Sequence, residues 1–95
     1  MAIETLRLIT GSGDLANLPA SLKLDTRGLV CPYPAFESSK IALSAGESDV
    51  IEIISDDEYV ATSTVPAVLS ARSLEYAVVK YEDGTFSIKA RRKRR

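Results

Sequence analysis

Cys31 is the only cysteine in this 95-residue chain, and the residues around it are those that would make a thiol reactive. It stands in the run Leu24-Asp25-Thr26-Arg27-Gly28-Leu29-Val30-Cys31-Pro32-Tyr33-Pro34. A helix leaves its first backbone N–H groups without intrahelical partners, so proline costs little in a first turn. Pro32 and Pro34 fit the first and third positions of a helix capped by Cys31. A helix N-terminus carries partial positive charge. A thiolate placed there is favoured, and the cysteine pKa falls below its free value of about 8.5. Arg27, upstream, would add positive charge. Gly28 can take the positive φ that a tight strand-to-helix turn needs. Asp25 is suited to bonding the turn backbone and Arg27 to pairing with it on the surface. Composition alone favours a different role, since a lone cysteine is most often a small buried hydrophobe. The flanking prolines and Arg27-Gly28 favour a presented, reactive thiol.

Absences narrow the chemistry. With no histidine there is no Cys-His pair of the protease kind and no Cys/His cluster for zinc. One cysteine forms neither an internal disulfide nor a Cys-x-x-Cys redox pair. A single activated thiol can still accept a group, hold it and hand it on. No apolar run approaches the ~18 residues that span a bilayer, and no basic-then-apolar leader opens the sequence. A cytoplasmic, reducing location is expected, without membrane insertion. No cofactor is expected. The acidic run Asp56-Asp57-Glu58 reads as a helix cap. It offers too few oxygen ligands for a hard cation, so no metal is expected.

The elements that would position the thiol follow from periodicity. Ser21 to Asp25 alternates polar and apolar residues, as a half-buried strand does, with Leu22 and Leu24 inward. Pro32 to about Ser44 is a helix in which Ala35 and Ala42, and Phe36 and Leu43, share sides; Gly46 stops it. The β-branched run Val50-Ile51-Glu52-Ile53-Ile54 is a central strand. Tyr59 to Ala71 is a second helix in which Pro66 enforces an irregular turn up to Thr64. Leu74 to Glu82 and Thr85 to Ala90 are strands joined at Asp83-Gly84, a two-residue hairpin signal. The order β-α-β-α-β-β predicts an α/β (α+β) two-layer sandwich: a four-stranded mixed sheet with both helices on one face. An extra N-terminal strand is expected near Thr5–Ile9, ended by Gly11-Ser12-Gly13. The divisions are an N-terminal extension (1–20), one domain (21–90) and a basic tail (91–95). The five tail residues are all basic, leaving seven basic against thirteen acidic side chains and a net −6 in the body.

The pattern Leu24-Asp25-x-Arg27-Gly28-Leu29-x-Cys31-Pro32-x-Pro34 resembles the signature of the TusA/SirA-like sulfur-carrier family. The Cys-Pro-x-Pro centre is its specific part. Val65-Pro66 falls where the family has an Ile-Pro-like pair, and roughly Leu22 to Lys89 can be laid on the pattern. One departure lies at Ala71-Arg72-Ser73-Leu74, which lacks the glycine the family often has there, so this turn must be made differently. The resemblance implies the two-layer sandwich and a terminal sulfur carried on Cys31 as a persulfide. Asp25, Arg27, Gly28, Pro32 and Pro34 would shape the site. It also implies a donor protein (a desulfurase or rhodanese-like) and an acceptor, in tRNA thiolation, cofactor assembly or sulfur oxidation. The alternative is a non-enzymatic regulatory or protein-binding module of the SirA-like type. The tail Arg91-Arg92-Lys93-Arg94-Arg95 reads first as a solvated end. Its alternative is a weak contact with RNA phosphates or with an acidic partner.

Overall fold

The computed structural model describes residues 7–11, 13–30 and 33–92. In chain order these form β1 (Arg7–Thr10), α1 (Gly13–Ala16), β2 (Leu22–Asp25), α2 (Tyr33–Ser44) and β3 (Ile51–Ser55). A π-helical segment, Val60–Thr64, then runs into α3 (Val65–Ala71), followed by β4 (Leu74–Lys80) and β5 (Phe86–Arg92). The strands make one sheet in the order β1-β4-β5-β3-β2. β2 and β3 are parallel, and the other pairings are antiparallel. The β-α-β-α-β-β order thus folds as the expected α+β sandwich, and the N-terminal strand adds an edge beside β4.

The core lies between the sheet and the α2/α3 layer. Period-2 alternation turns Ile51 and Ile53 of β3 towards the helices, opposite Ala90 and Ile88 of β5, and all four are fully buried. Val65 and Leu69 of α3 and Ala42 of α2 close over them. Each large aliphatic side chain buried this way contributes about 1.5–3 kcal/mol. α2 faces inward with Pro34, Ser38 and Ala42, small residues one helical turn apart that fit beneath a closely packed helix. The Phe36–Leu43 side faces outward, at 58% and 59% exposure.

Pro66 explains the π-helical segment. Proline has no N–H to give the carbonyl four residues back, and the turn widens, so that the Val65 N–H donates to the Val60 carbonyl, five residues back. Asp57 caps this helix: its Oδ1 accepts from the Tyr59 and Val60 amides at 2.9 and 3.1 Å. At the far end, Ser73 takes the left-handed φ of 65° that a glycine would normally supply.

Two expectations need correction. The hairpin between β4 and β5 is a three-residue loop, not a two-residue one. The Gly84 amide donates to the Tyr81 carbonyl and the Tyr81 amide to the Thr85 carbonyl, leaving Glu82, Asp83 and Gly84 between them. Asp83 Oδ1 accepts from the Thr85 amide and hydroxyl, and Gly84 at φ 92° supplies the left-handed closing position. The second correction concerns Arg91 and Arg92. They belong to β5, paired with Glu75 and Leu74 of β4, so the fold extends past Ala90; Lys93, Arg94 and Arg95 lie outside the described residues. Arg91 pairs with Glu75. Arg92 reaches carbonyls at both helix ends: Ala42 at 3.0 Å, Ala45 at 3.2 Å and Arg72 at 3.2 Å.

β1 sits at one edge of the sheet and β2 at the other. The intervening chain therefore crosses the sheet face opposite α2 and α3. Leu15 of α1 is buried there at 1% exposure, and Lys89 Nζ donates to the carbonyls of Ala16 and Leu18, at 3.2 and 2.6 Å. Of the expected Thr5–Ile9 strand, Thr5 and Leu6 lie outside the described residues. Among the described residues no helix is long and apolar enough to cross a membrane.

Candidate functional site

The β2–α2 loop, the β3–α3 connection and the β4–β5 hairpin meet at one end of the sheet. This follows from pairing: Asp25 at the end of β2 lies beside Ile54, and Ser55 at the end of β3 lies beside Phe86 at the start of β5. Cys31 belongs to the first of these loops. Cys31 and Pro32 themselves lie outside the described residues.

Thr26 anchors the loop where it leaves β2. It is buried at 2% exposure, and both its amide and its hydroxyl donate to the Ile54 carbonyl, at 2.8 and 2.6 Å. The Leu29 amide then donates back to the Thr26 carbonyl, at 3.1 Å. Gly28 sits inside that turn at φ 85°. A Cβ placed there would meet nothing within 4 Å, so the demand for glycine comes from the backbone conformation alone. Past residues 31–32, the Tyr33 amide donates to the Val30 carbonyl at 2.9 Å and draws the two ends of the segment together. Pro34 follows in the first turn of α2 and is fully buried.

Asp25 and Arg27 bond each other. Arg27 Nε and Nη2 donate to the two carboxylate oxygens of Asp25, at 3.0 and 2.8 Å, and the Arg27 amide adds a third bond to Oδ1 at 3.0 Å. The guanidinium and then the amide of Arg27 pull the Asp25 pKa down from 3.8 to about 2. Asp25 in turn raises that of Arg27. Asp56 and Asp83, from the other two loops, are also within electrostatic reach of Arg27. Bonds from the side chain and amide of Thr85 lower the Asp83 pKa. Arg27 is therefore a cation offset by a bidentate carboxylate, and the field it lends to its loop is that of a pair, not of a free charge. Among the described residues no group of three or more His, Cys, Asp or Glu is placed to hold a metal.

Apolar side chains flank the two undescribed positions and continue onto α2. Leu29 is 42% exposed, Val30 67%, Tyr33 54% and Phe36 58%. An open groove on α2 is lined by Tyr33, Phe36, Glu37, Ser39 and Lys40. Thr26 stands at an unspecified position of the motif, so the sequence did not single it out. Its one signal was a β-branched hydroxyl directly after a strand. Phe36 was visible as a helix-face residue, but heptad spacing does not say which side faces water.

A family model described as sulfurtransferase TusA matches residues 22–92, that is, β2 through the end of β5. None of the curated proteins matches the chain. The chain is similar to the solved structure of a SirA-like protein from Desulfitobacterium hafniense, at 17% identity and a TM-score of 0.65. That match covers 73% of this chain and 93% of the other, and it speaks for the fold alone. With the family match running over most of its length, from the strand before the cysteine loop to the arginine that clamps both helices, the chain belongs to the TusA sulfurtransferase family.

Proposed function

We propose that the protein is a sulfur carrier whose working group is the thiol of Cys31. The Cys31 thiolate attacks the outer sulfur of a donor persulfide. A new S–S bond forms at Cys31, the donor's S–S bond breaks, and the donor thiolate leaves with the electron pair. No external oxidant is needed, because the sulfur moves at its existing oxidation level. Delivery repeats the exchange: an acceptor nucleophile takes the outer sulfur and Cys31 leaves as thiolate. The observation that carries this reading is the family match over a segment whose sole cysteine stands in Cys31-Pro32-Tyr33-Pro34, directly ahead of α2. Gly28 and Pro34 contribute geometry, and the Asp25–Arg27 pair stiffens the approach to the cysteine. A reducing, cytoplasmic compartment suits a carrier that must keep its thiol free.

Donor and acceptor proteins dock, in this reading, on the exposed apolar residues beside the cysteine: Leu29, Val30, Tyr33 and Phe36. Acidic residues from the neighbouring loops, Asp56, Glu58 and Asp83, favour a partner with a basic rim. Contact with RNA or an acidic partner through the basic run falls to Lys93, Arg94 and Arg95, because Arg91 and Arg92 are engaged within the fold. The same apolar surface serves a regulatory module of the SirA-like type, in which the thiol does no chemistry. Alkylation of the sole cysteine against pH separates the two. A carrier is expected to alkylate as a thiolate with a midpoint below the free value of about 8.5. A midpoint at or above that value favours the binding module.

A further inference from the structure

The matched family segment begins at residue 22, yet the residues before it are built into the sheet. β1 pairs with the outer edge of β4 through Arg7–Lys80, Leu8–Val79 and Thr10–Val78. α1 covers the sheet face on which Ala77, Val79 and Ser87 are buried. Gly11 lies against β4 so closely that a Cβ placed on it would overlap the Tyr76 carbonyl oxygen and lie 2.5 Å from Ala77 Cα. Its φ is 91°, so the backbone also demands glycine. Lys89 tethers the other end of the segment through the Ala16 and Leu18 carbonyls.

Without this segment, β4 would be the edge strand of the sheet, and its outer N–H and C=O groups would be unpaired. Such an edge is a template for another strand. β4 is long enough to serve, at seven residues, and its flank would then carry Ala77 and Val79 into water. We propose that residues 7–11 and 13–18 are a built-in edge cap. They occupy the surface on which a second copy of this chain would pair through β4, and Gly11 and Lys89 are the residues that keep them in place. The cap keeps the carrier monomeric at the edge remote from β2 and the cysteine loop. The proposal does not depend on the chemistry of Cys31.

The test uses two full-length variants, Gly11→Ala and Lys89→Met, chosen so that loss of one fold does not end the experiment. Amide exchange and mass by light scattering are followed over a range of protein concentration, with circular dichroism to confirm the fold. In dilute solution the β4 amides that face β1 are expected to exchange about tenfold faster or more than in the parent protein. At high concentration the mass should double and the β4 amides regain protection, while those of residues 7–10 stay unprotected. Unchanged exchange in both folded variants overturns the proposal. So does faster exchange with a monomer mass at every concentration. A dimer whose residues 7–10 remain protected also overturns it, because that signature means strap exchange between copies and not pairing of the β4 edges.

Discussion

Arg92 gives the sharpest stability prediction, because a residue that looks like part of a charged tail is bonded to both helices. Its guanidinium donates to the carbonyls of Ala42, Ala45 and Arg72 at 3.0, 3.2 and 3.2 Å. The first two are among the last carbonyls of α2 and its exit, and the third follows α3, where the negative ends of two helix dipoles come together. A hydrogen bond from a charged donor contributes roughly 1.5–3 kcal/mol, but these carbonyls can recruit water once the arginine is gone. Arg92→Met, which keeps most of the apolar stem, is therefore expected to cost about 2 kcal/mol in all. For a domain of this size that lowers Tm by about 10 °C. The comparison is Arg91→Met, one residue earlier and equally basic. Its partner Glu75 and Arg91 itself are each more than a third exposed, so the loss should stay within about 0–1 kcal/mol. Both are read by thermal and urea unfolding at one pH and salt concentration. If Arg92→Met unfolds within about 0.5 kcal/mol of the parent protein, or no lower than Arg91→Met, the clamp is not stabilising and the reasoning fails.

Asp25, whose folded pKa is lowered from 3.8 to about 2, adds stability that is present above the unfolded value and disappears as pH falls towards the folded one. Asp25→Asn should accordingly flatten the acid limb of the Tm–pH curve between those two values; an unchanged limb would contradict the pairing. The same change frees the charge of Arg27. A free cation in the same loop favours a thiolate, so Cys31 should alkylate faster at neutral pH, and an unaltered or slower rate counts against Arg27 acting on the thiol. Ser73→Gly removes a side chain held at φ 65° and should raise stability by up to about 1 kcal/mol in urea unfolding; destabilisation would mean that the serine side chain does more than tolerate its turn.

What the sequence disclosed and what it concealed divide along the range of the interactions. The alternation around Leu22 and Leu24, the Ile51–Ile53 strand and the disruption upstream of Pro66 are local events with local causes, and each was legible. The cap at Asp57 was legible for the same reason. The strand order was not, because pairing β1 with β4 joins residues some seventy apart in the chain and no local signal specifies it. Arg91 and Arg92 were concealed by their neighbours: five consecutive basic residues look solvated, and only the register with Glu75 and Leu74 reveals that two of them continue a strand. At the site, Gly28 announced its turn by being glycine. Thr26 did not announce its grip on Ile54, since a threonine after a strand is common. The side of α2 left to solvent depended on how closely α3 packs, which the spacing of Phe36 and Leu43 does not encode.

The central claim is that Cys31 takes up sulfur and gives it away. Intact mass of the full-length protein, recorded after incubation with a donor persulfide generated by a cysteine desulfurase and cysteine, tests it most directly. The account predicts a gain of one sulfur atom that maps to Cys31, is discharged by a second thiol and is missing from Cys31→Ser. Loading that persists in Cys31→Ser would contradict it, as would no loading by desulfurase, thiosulfate or polysulfide of a protein whose Cys31 is free and accessible.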